Sequence, residues 1–322
     1  MGSYVGLPPA LSNDHDVTRL SGMEDPFRHR FLDVDGVELH WAELGEPGAH
    51  PPLVLIHGLT DAHLTWRKVG GELARDRLVL MPDLPGCGLS GRPDASYQLE
   101  WQANLLAKWL EQLDLSSVDV VGHSYGGGVA QMLLLACPGR VRRLVLAAAG
   151  GLGRDVGFWL KFGTFPYFVE RHGQPFMAFG TRRALANLTT RGGAGPALDD
   201  SDKRDIEALS RMNARKGTAR AFSRTVRDVI DFRGQTRHFL HRANEVDVFP
   251  PILVLWGEQD TLIPMKHGQD FVAALDGAIF ASFPGCGHYL HREQPAAFVA
   301  ALRSFLDAEQ ATPVRLRALD RK

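Results

Sequence analysis

The sequence predicts an α/β fold, a mostly parallel sheet with helices packed on both of its faces. Two patterns predict it. Continuous apolar runs, such as Leu53-Val54-Leu55-Ile56 and Ile252-Leu253-Val254-Leu255-Trp256, read as strands buried on both sides. Stretches of helical periodicity alternate with these runs, and strands that alternate with helices assemble into parallel sheets.

The elements follow in order. Residues 1–26 form a polar leader. Segments 29–34 and 37–44 read as a hairpin turned at Asp35-Gly36, a dipeptide suited to the positive φ of a tight turn. The runs 53–56 and 78–81 are the next strands. Residues 99–113 place Leu99, Leu105, Leu106, Trp109, Leu110 and Leu113 on one side of a helix. That helix precedes the strand Val118-Asp119-Val120-Val121, and residues 127–135 read as a helix after it. The core is expected over 27–150 and 245–310, interrupted by a helical segment at 151–244. Within the returning half, 251–256 and 278–283 are strands and 295–306 is the closing helix. Residues 311–322 form a basic tail, expected to be a solvated end.

Composition narrows the class. A chain of 322 residues can bury a sizeable core. The net charge of −1 gives no reason to expect a nucleic acid or an anionic surface as partner. No apolar run of about 18 residues exists, so no membrane span is expected. The leader carries Asp14, Asp16, Glu24 and Asp25 and no apolar core of signal-peptide length, which points to a cytoplasmic protein. Cys87, Cys137 and Cys286 form no C-x-x-C pair, and no disulfide framework is implied.

The most informative feature is Gly122-His123-Ser124-Tyr125-Gly126, set between an apolar strand and a helical stretch. That context lifts a serine hydroxyl onto an exposed elbow, with glycines on either side where larger side chains would collide. The amides at the start of the following helix then face any oxyanion formed at the serine. The plainer reading is a tight turn carrying a surface serine.

With this motif in this context, the chain resembles the α/β-hydrolase fold superfamily, in its branch of small hydrolases with a helical cap. The resemblance covers roughly 31–306. It implies an eight-stranded sheet with the cap inserted after the sixth strand, and partners that follow the serine in the order acid, then histidine. The acid is then Asp260, in Gly257-Glu258-Gln259-Asp260, with Glu258 the alternative and a turn cap the plainer role. The histidine is His288, in Gly285-Cys286-Gly287-His288, with His291 its local competitor. After His57-Gly58, the resemblance implies that the amides of Leu59 and Tyr125 form an oxyanion hole. His57 itself reads as a structural hydrogen-bonding group under the loop. Thr60 and His123 are expected to line the substrate pocket. Of the cap aromatics, Trp159, Phe162 and Phe165 are expected to face the substrate. Most of the others, among them Phe158, Tyr167, Phe168, Phe176 and Phe179, are expected to pack the cap onto the core. The arginines and aspartates of 201–242, at helical spacing, read as a solvated face.

Other motifs carry less. Gly86-x-Gly88-x-x-Gly91 matches a dinucleotide fingerprint by letters, but Pro85 interrupts it and Arg92-Pro93 stands where a helix should begin. His238-x-x-His241 reads as a solvated pair rather than a metal site. No cofactor and no metal are expected. The function implied is a serine hydrolase acting on carboxylic esters of small to medium apolar substrates. Serine in place of aspartate weighs against the dehalogenase and epoxide-hydrolase branches. Carbon–carbon bond hydrolases keep the serine, yet usually carry more glycine and proline after His-Gly than Leu59-Thr60-Asp61 offers. Lactonase, thioesterase and ligand-receptor roles share the same residues, because fold does not fix function. The expected partner is a small-molecule ester, and homodimerisation is left open.

Overall fold

Eight strands form a single sheet: β1 (Arg28–Val34), β2 (Val37–Leu44), β3 (Leu53–Ile56), β4 (Val79–Pro82), β5 (Val118–His123), β6 (Val141–Ala147), β7 (Ile252–Gly257) and β8 (Ile279–Phe283). The structure is a computed structural model and describes residues 26–162, 167–190, 195–246, 248–309 and 312–317. The strands lie in the order β1-β2-β4-β3-β5-β6-β7-β8, and only β2 runs against its neighbours. The expected hairpin forms, with Val34 paired to Val37 across Asp35-Gly36.

Every residue of β3, β4, β5 and β7 is buried. This explains the unbroken apolar runs, because a strand covered on both faces has no solvent side to alternate toward. The helices α1 (Arg67–Leu73), α2 (Leu99–Gln112) and α3 (Tyr125–Ala136) belong to the first half. The amphipathic reading of α2 holds: Leu99, Leu105, Leu106, Trp109 and Leu110 are buried. Two buried carboxylates of the core have partners. Asp119 of β5 is held by Arg142, and Trp41 donates to Glu43 at 2.8 Å.

Between β6 and β7 the chain leaves the sheet for a helical insertion: α4 (Phe158–Phe162), α5 (Phe168–His172), α6 (Met177–Thr190), α7 (Asp200–Asn213) and α8 (Thr218–Val229). Asp199 starts α7 with a reciprocal capping box to Asp202. Ion pairs fasten α7 to the core, with Arg67 to Asp205 and Lys68 to Asp202 both at 2.8 Å. The arginine–aspartate spacing of this segment is therefore partly an attachment to the core and not only a solvated face. The helices α9 (Lys266–Ala273) and α10 (Pro295–Leu306) complete the fold.

The tail departs from expectation. Val314 is fully buried and bridges Phe249, and Arg315–Leu316 pairs antiparallel with Leu275–Asp276. An apolar side chain within a basic segment found a free edge and an apolar seat, so these residues are a strap rather than a solvated end. No helix among the described residues is long and apolar enough to cross a membrane.

Candidate active site

The site sits where the sheet order reverses, at the carboxyl ends of β3 and β5, the usual ligand position of open α/β sheets. Ser124 joins β5 to α3 with φ 55° and ψ −120°, a conformation costly for a residue with a side chain. The surroundings impose it. The Ser124 amide donates to Ala147 at 3.0 Å, and its carbonyl accepts from Gly127 and Gly150, both at 2.9 Å. The flanking glycines are obligatory. A Cβ at Gly122 would lie 2.4 Å from the Gly126 carbonyl oxygen, and one at Gly126 would lie 2.3 Å from the carbonyl oxygens of Ile56 and His57.

Ser124 Oγ lies 2.9 Å from His288 Nε2, and His288 Nδ1 lies 2.8 Å from Asp260 Oδ2. Asp260 Oδ1 accepts from the amides of Leu262 at 2.8 Å and Ile263 at 3.0 Å, which orients the carboxylate. Asp260 thus serves its loop and His288 together. Glu258, the alternative acid, points outward and accepts from Ser282 at 2.8 Å. His291, the alternative base, is buried with Nε2 2.9 Å from Thr65 Oγ1. Such a chain of hydroxyl, imidazole and carboxylate can activate the hydroxyl as a nucleophile. Among the described residues, the amides of Leu59 and Tyr125 donate to no backbone carbonyl of the surrounding loops.

His57 behaves as a structural group. Its Nδ1–H donates to Gly58 at 2.7 Å, and its Nε2 accepts from the Leu84 amide at 2.9 Å. His123 differs from expectation, since it does not line the cavity. It is fully buried behind the site, where its Nε2–H donates to the His288 carbonyl at 2.9 Å. In a strand, successive side chains point to opposite faces, and His123 falls on the inner one. Burial keeps its imidazole neutral, well below the usual histidine range.

A cavity of about 450 Å³ opens over Ser124 and His288, within the range of small-molecule sites. Leu59, Thr60 and Tyr125 border it, as does one face of α6: Met177, Gly180, Thr181, Ala184, Leu185 and Leu188. Those positions recur at helical spacing, so a single helix supplies a wall. Trp159 and Phe162 lie on α4 with side chains outside the described residues, and Phe165 lies wholly outside them. Other lining residues escaped the sequence reading. Gln235 accepts from the Gly151 amide at 2.8 Å and donates to Asp155 at 3.2 Å, tying the start of the insertion to its end. No local pattern marks it. Arg237 is the one lysine or arginine among the described lining residues, and its guanidinium is engaged by Asp228 and by Glu100, the latter at 3.4 Å.

Among the described residues, one cluster has metal-ligand chemistry: His40, His63 and Asp83, all buried, with potential ligand atoms within 4.8 Å of one another. The three groups satisfy each other instead. His40 Nδ1 and His63 Nδ1 donate to Asp83 at 2.7 and 3.0 Å, and the amides of His63 and Leu89 donate to it at 2.7 and 2.8 Å. Burial lowers His40 to about 4. Burial alone would raise Asp83, but His63 and His40 outweigh it and hold the carboxyl well below its usual range.

Comparison with known proteins agrees with this geometry. Residues 51–295 match the family described as alpha/beta hydrolase fold. An uncharacterised protein of Mycobacterium tuberculosis is 33% identical over 280 residues, covering 85% of this chain and 82% of that one. The 2-hydroxy-6-oxo-2,4-heptadienoate hydrolase of Pseudomonas putida is 29% identical over 291 residues, covering 87% and 96%. The crystal structure of Cfl2 from Burkholderia cenocepacia superimposes with a TM-score of 0.72 at 27% identity, covering 88% of this chain and 98% of that one. An eight-stranded sheet with one reversed strand, a serine elbow at the end of β5 and a family match across most of the chain lead to one conclusion: this protein belongs to the alpha/beta hydrolase fold family.

Proposed function

We propose that this protein is a serine hydrolase that cleaves carboxylic esters of small to medium apolar substrates through an acyl-enzyme on Ser124. The observation that carries the reading is the unbroken relay from Ser124 through His288 to Asp260, at 2.9 and 2.8 Å, opening onto an apolar cavity. In this mechanism His288 Nε2 takes the Ser124 proton as Oγ bonds to the ester carbonyl carbon. Asp260 holds the Nδ1–H tautomer and stabilises the imidazolium. The amides of Leu59 and Tyr125 receive the oxyanion, each worth roughly 3 kcal/mol in the transition state. Collapse breaks the ester C–O bond, and the alcohol leaves with the proton from His288. Water, deprotonated by His288, then attacks the acyl carbonyl and releases the acid and Ser124. Residues 151–244 act as a cap over this site, and Thr60 borders the pocket.

A carbon–carbon bond hydrolase is the second reading, favoured by the relative that cleaves 2-hydroxy-6-oxo-2,4-heptadienoate. That substrate is by its name a carboxylate. The charge of Arg237, the one lysine or arginine on the described cavity wall, is offset by Asp228 and Glu100. A neutral ester suits such a wall better than an anion. The test is hydrolysis of p-nitrophenyl esters from acetate to decanoate by wild type and Ser124→Ala. Turnover abolished in the variant supports the serine esterase. Absence of turnover by a folded wild type on every ester removes it and brings carbon–carbon cleavage forward.

A further inference from the structure

The whole-chain charge of −1 conceals a division: residues 151–244 hold 17 lysines and arginines against 9 aspartates and glutamates, a net +8, which leaves −9 on the rest of the chain. On this basic segment the aromatics expected to pack inward stand in water. Tyr167, Phe168, Phe176 and Phe179 are 67–69% exposed. Four large aromatic side chains left exposed within 13 residues of chain mark a surface that meets something. Phe168 and Phe176 also border the catalytic cavity, so apolar surface runs from the outer lip toward Ser124. Exposed arginines accompany the rings: Arg171 is one turn from Phe168 on α5, and Arg183 is one turn from Phe179 on α6. Aromatic rings beside cations are how interfacial helices engage a lipid surface, the rings entering the headgroup boundary and the cations meeting anionic headgroups.

We propose that the lip formed by α5, the start of α6 and the turn between them docks on an anionic lipid surface, from which an apolar ester passes into the cavity. The passage of an ester rests on the function proposed above, whereas the docking does not. A second copy of the chain fits the patch less well. A twofold contact sets a patch against itself, and here it would oppose two basic lips.

The test uses the full chain as Ser124→Ala, so that no lipid is consumed, pelleted with sucrose-loaded vesicles of phosphatidylcholine alone or with phosphatidylglycerol added. We expect pelleting only with phosphatidylglycerol, reversed by high salt. The triple variant Arg171→Glu, Phe179→Ser, Arg183→Glu alters no cavity-lining residue. It is expected to lower pelleting about ten-fold or more, while turnover of a short soluble ester on the Ser124 background stays unchanged. Protein that stays in the supernatant with phosphatidylglycerol vesicles overturns the proposal, as does a triple variant that pellets as well as its parent. Self-association in vesicle-free buffer that the triple variant abolishes, without vesicle binding, assigns the patch to a second copy and also overturns it. Pelleting without turnover of any ester leaves the docking intact and removes the esterase reading instead. If the triple variant fails to fold by circular dichroism, the headgroup and salt dependence of the parent decides.

Discussion

Among the described residues, two buried aspartate–histidine pairs have nearly the same contact, 2.8 Å between His288 and Asp260 and 2.7 Å between His40 and Asp83. What differs is the far side of each imidazole. His288 presents its second nitrogen to a serine hydroxyl at the edge of a cavity, 2.9 Å away. His40 presents its second nitrogen to His29 at 2.8 Å, and Asp83 is closed off by a further imidazole and two backbone amides. An aspartate–histidine pair is therefore no signature of catalysis by itself. Open to a nucleophile and a cavity, it can move a proton; sealed in the core, it can only hold elements together. Here the sealed pair joins β2, the residues after β4 and the turn at His63.

The sharpest way to break this contrast is to change each aspartate to asparagine. Asp260→Asn should leave the protein folded and lower kcat for a p-nitrophenyl ester about 10⁴-fold, because the amide favours the wrong imidazole tautomer. A loss of less than ten-fold would remove Asp260 from the mechanism. Asp83→Asn should act in the opposite way. It presents an amide N–H₂ to groups that already donate, costing about 3–5 kcal/mol of stability in urea titration while turnover per folded molecule is retained.

Acid sharpens the comparison further. The folded His40 titrates near 4, below the unfolded value of 6.5. The unfolded chain therefore binds the proton first, and stability is lost as pH falls from about 6.5 toward 4. His40 contributes roughly 3 kcal/mol to that loss at about 1.4 kcal/mol per pH unit. His123 and His291, both lowered by burial, act in the same direction. Urea midpoints at pH 7, 6 and 5 check this, and a flat series would show that the buried histidines are not neutral. The smallest effect concerns the cavity. Nothing lies within 4 Å of a Cβ added at Gly180, which borders it. Gly180→Leu should fold normally and lower kcat/KM for decanoate several-fold relative to acetate, by narrowing α6 where an apolar arm would pass.

The sheet was legible because burial on both faces leaves an unbroken apolar run, and β3, β5 and β7 carry such runs without ambiguity. The elbow was legible because steric exclusion at Gly122 and Gly126 is local and leaves letters in the chain. Asp260 and His288 were legible only as stations in chain order, with Glu258 and His291 beside them. Distances across the fold separated each pair. His123 was misread because adjacency to Ser124 says nothing about which face of β5 a side chain takes. The exposed lip of Tyr167, Phe168, Phe176 and Phe179 was misread because aromatic composition alone cannot tell a packed helix from one with an uncovered face. Val314 was missed because one apolar residue in a basic tail has no periodicity.

The sequence by itself determined the α/β alternation, the serine elbow and the short set of residues from which a relay could be drawn, since these rest on local sterics and on periodic burial. Only the tertiary structure decided which acid and which histidine meet, which face of the insertion is left in water, and that His40, His63 and Asp83 close on one another. Those outcomes depend on contacts between residues far apart in the chain, 164 positions between Ser124 and His288 and 43 between His40 and Asp83. No local pattern of letters encodes such distances.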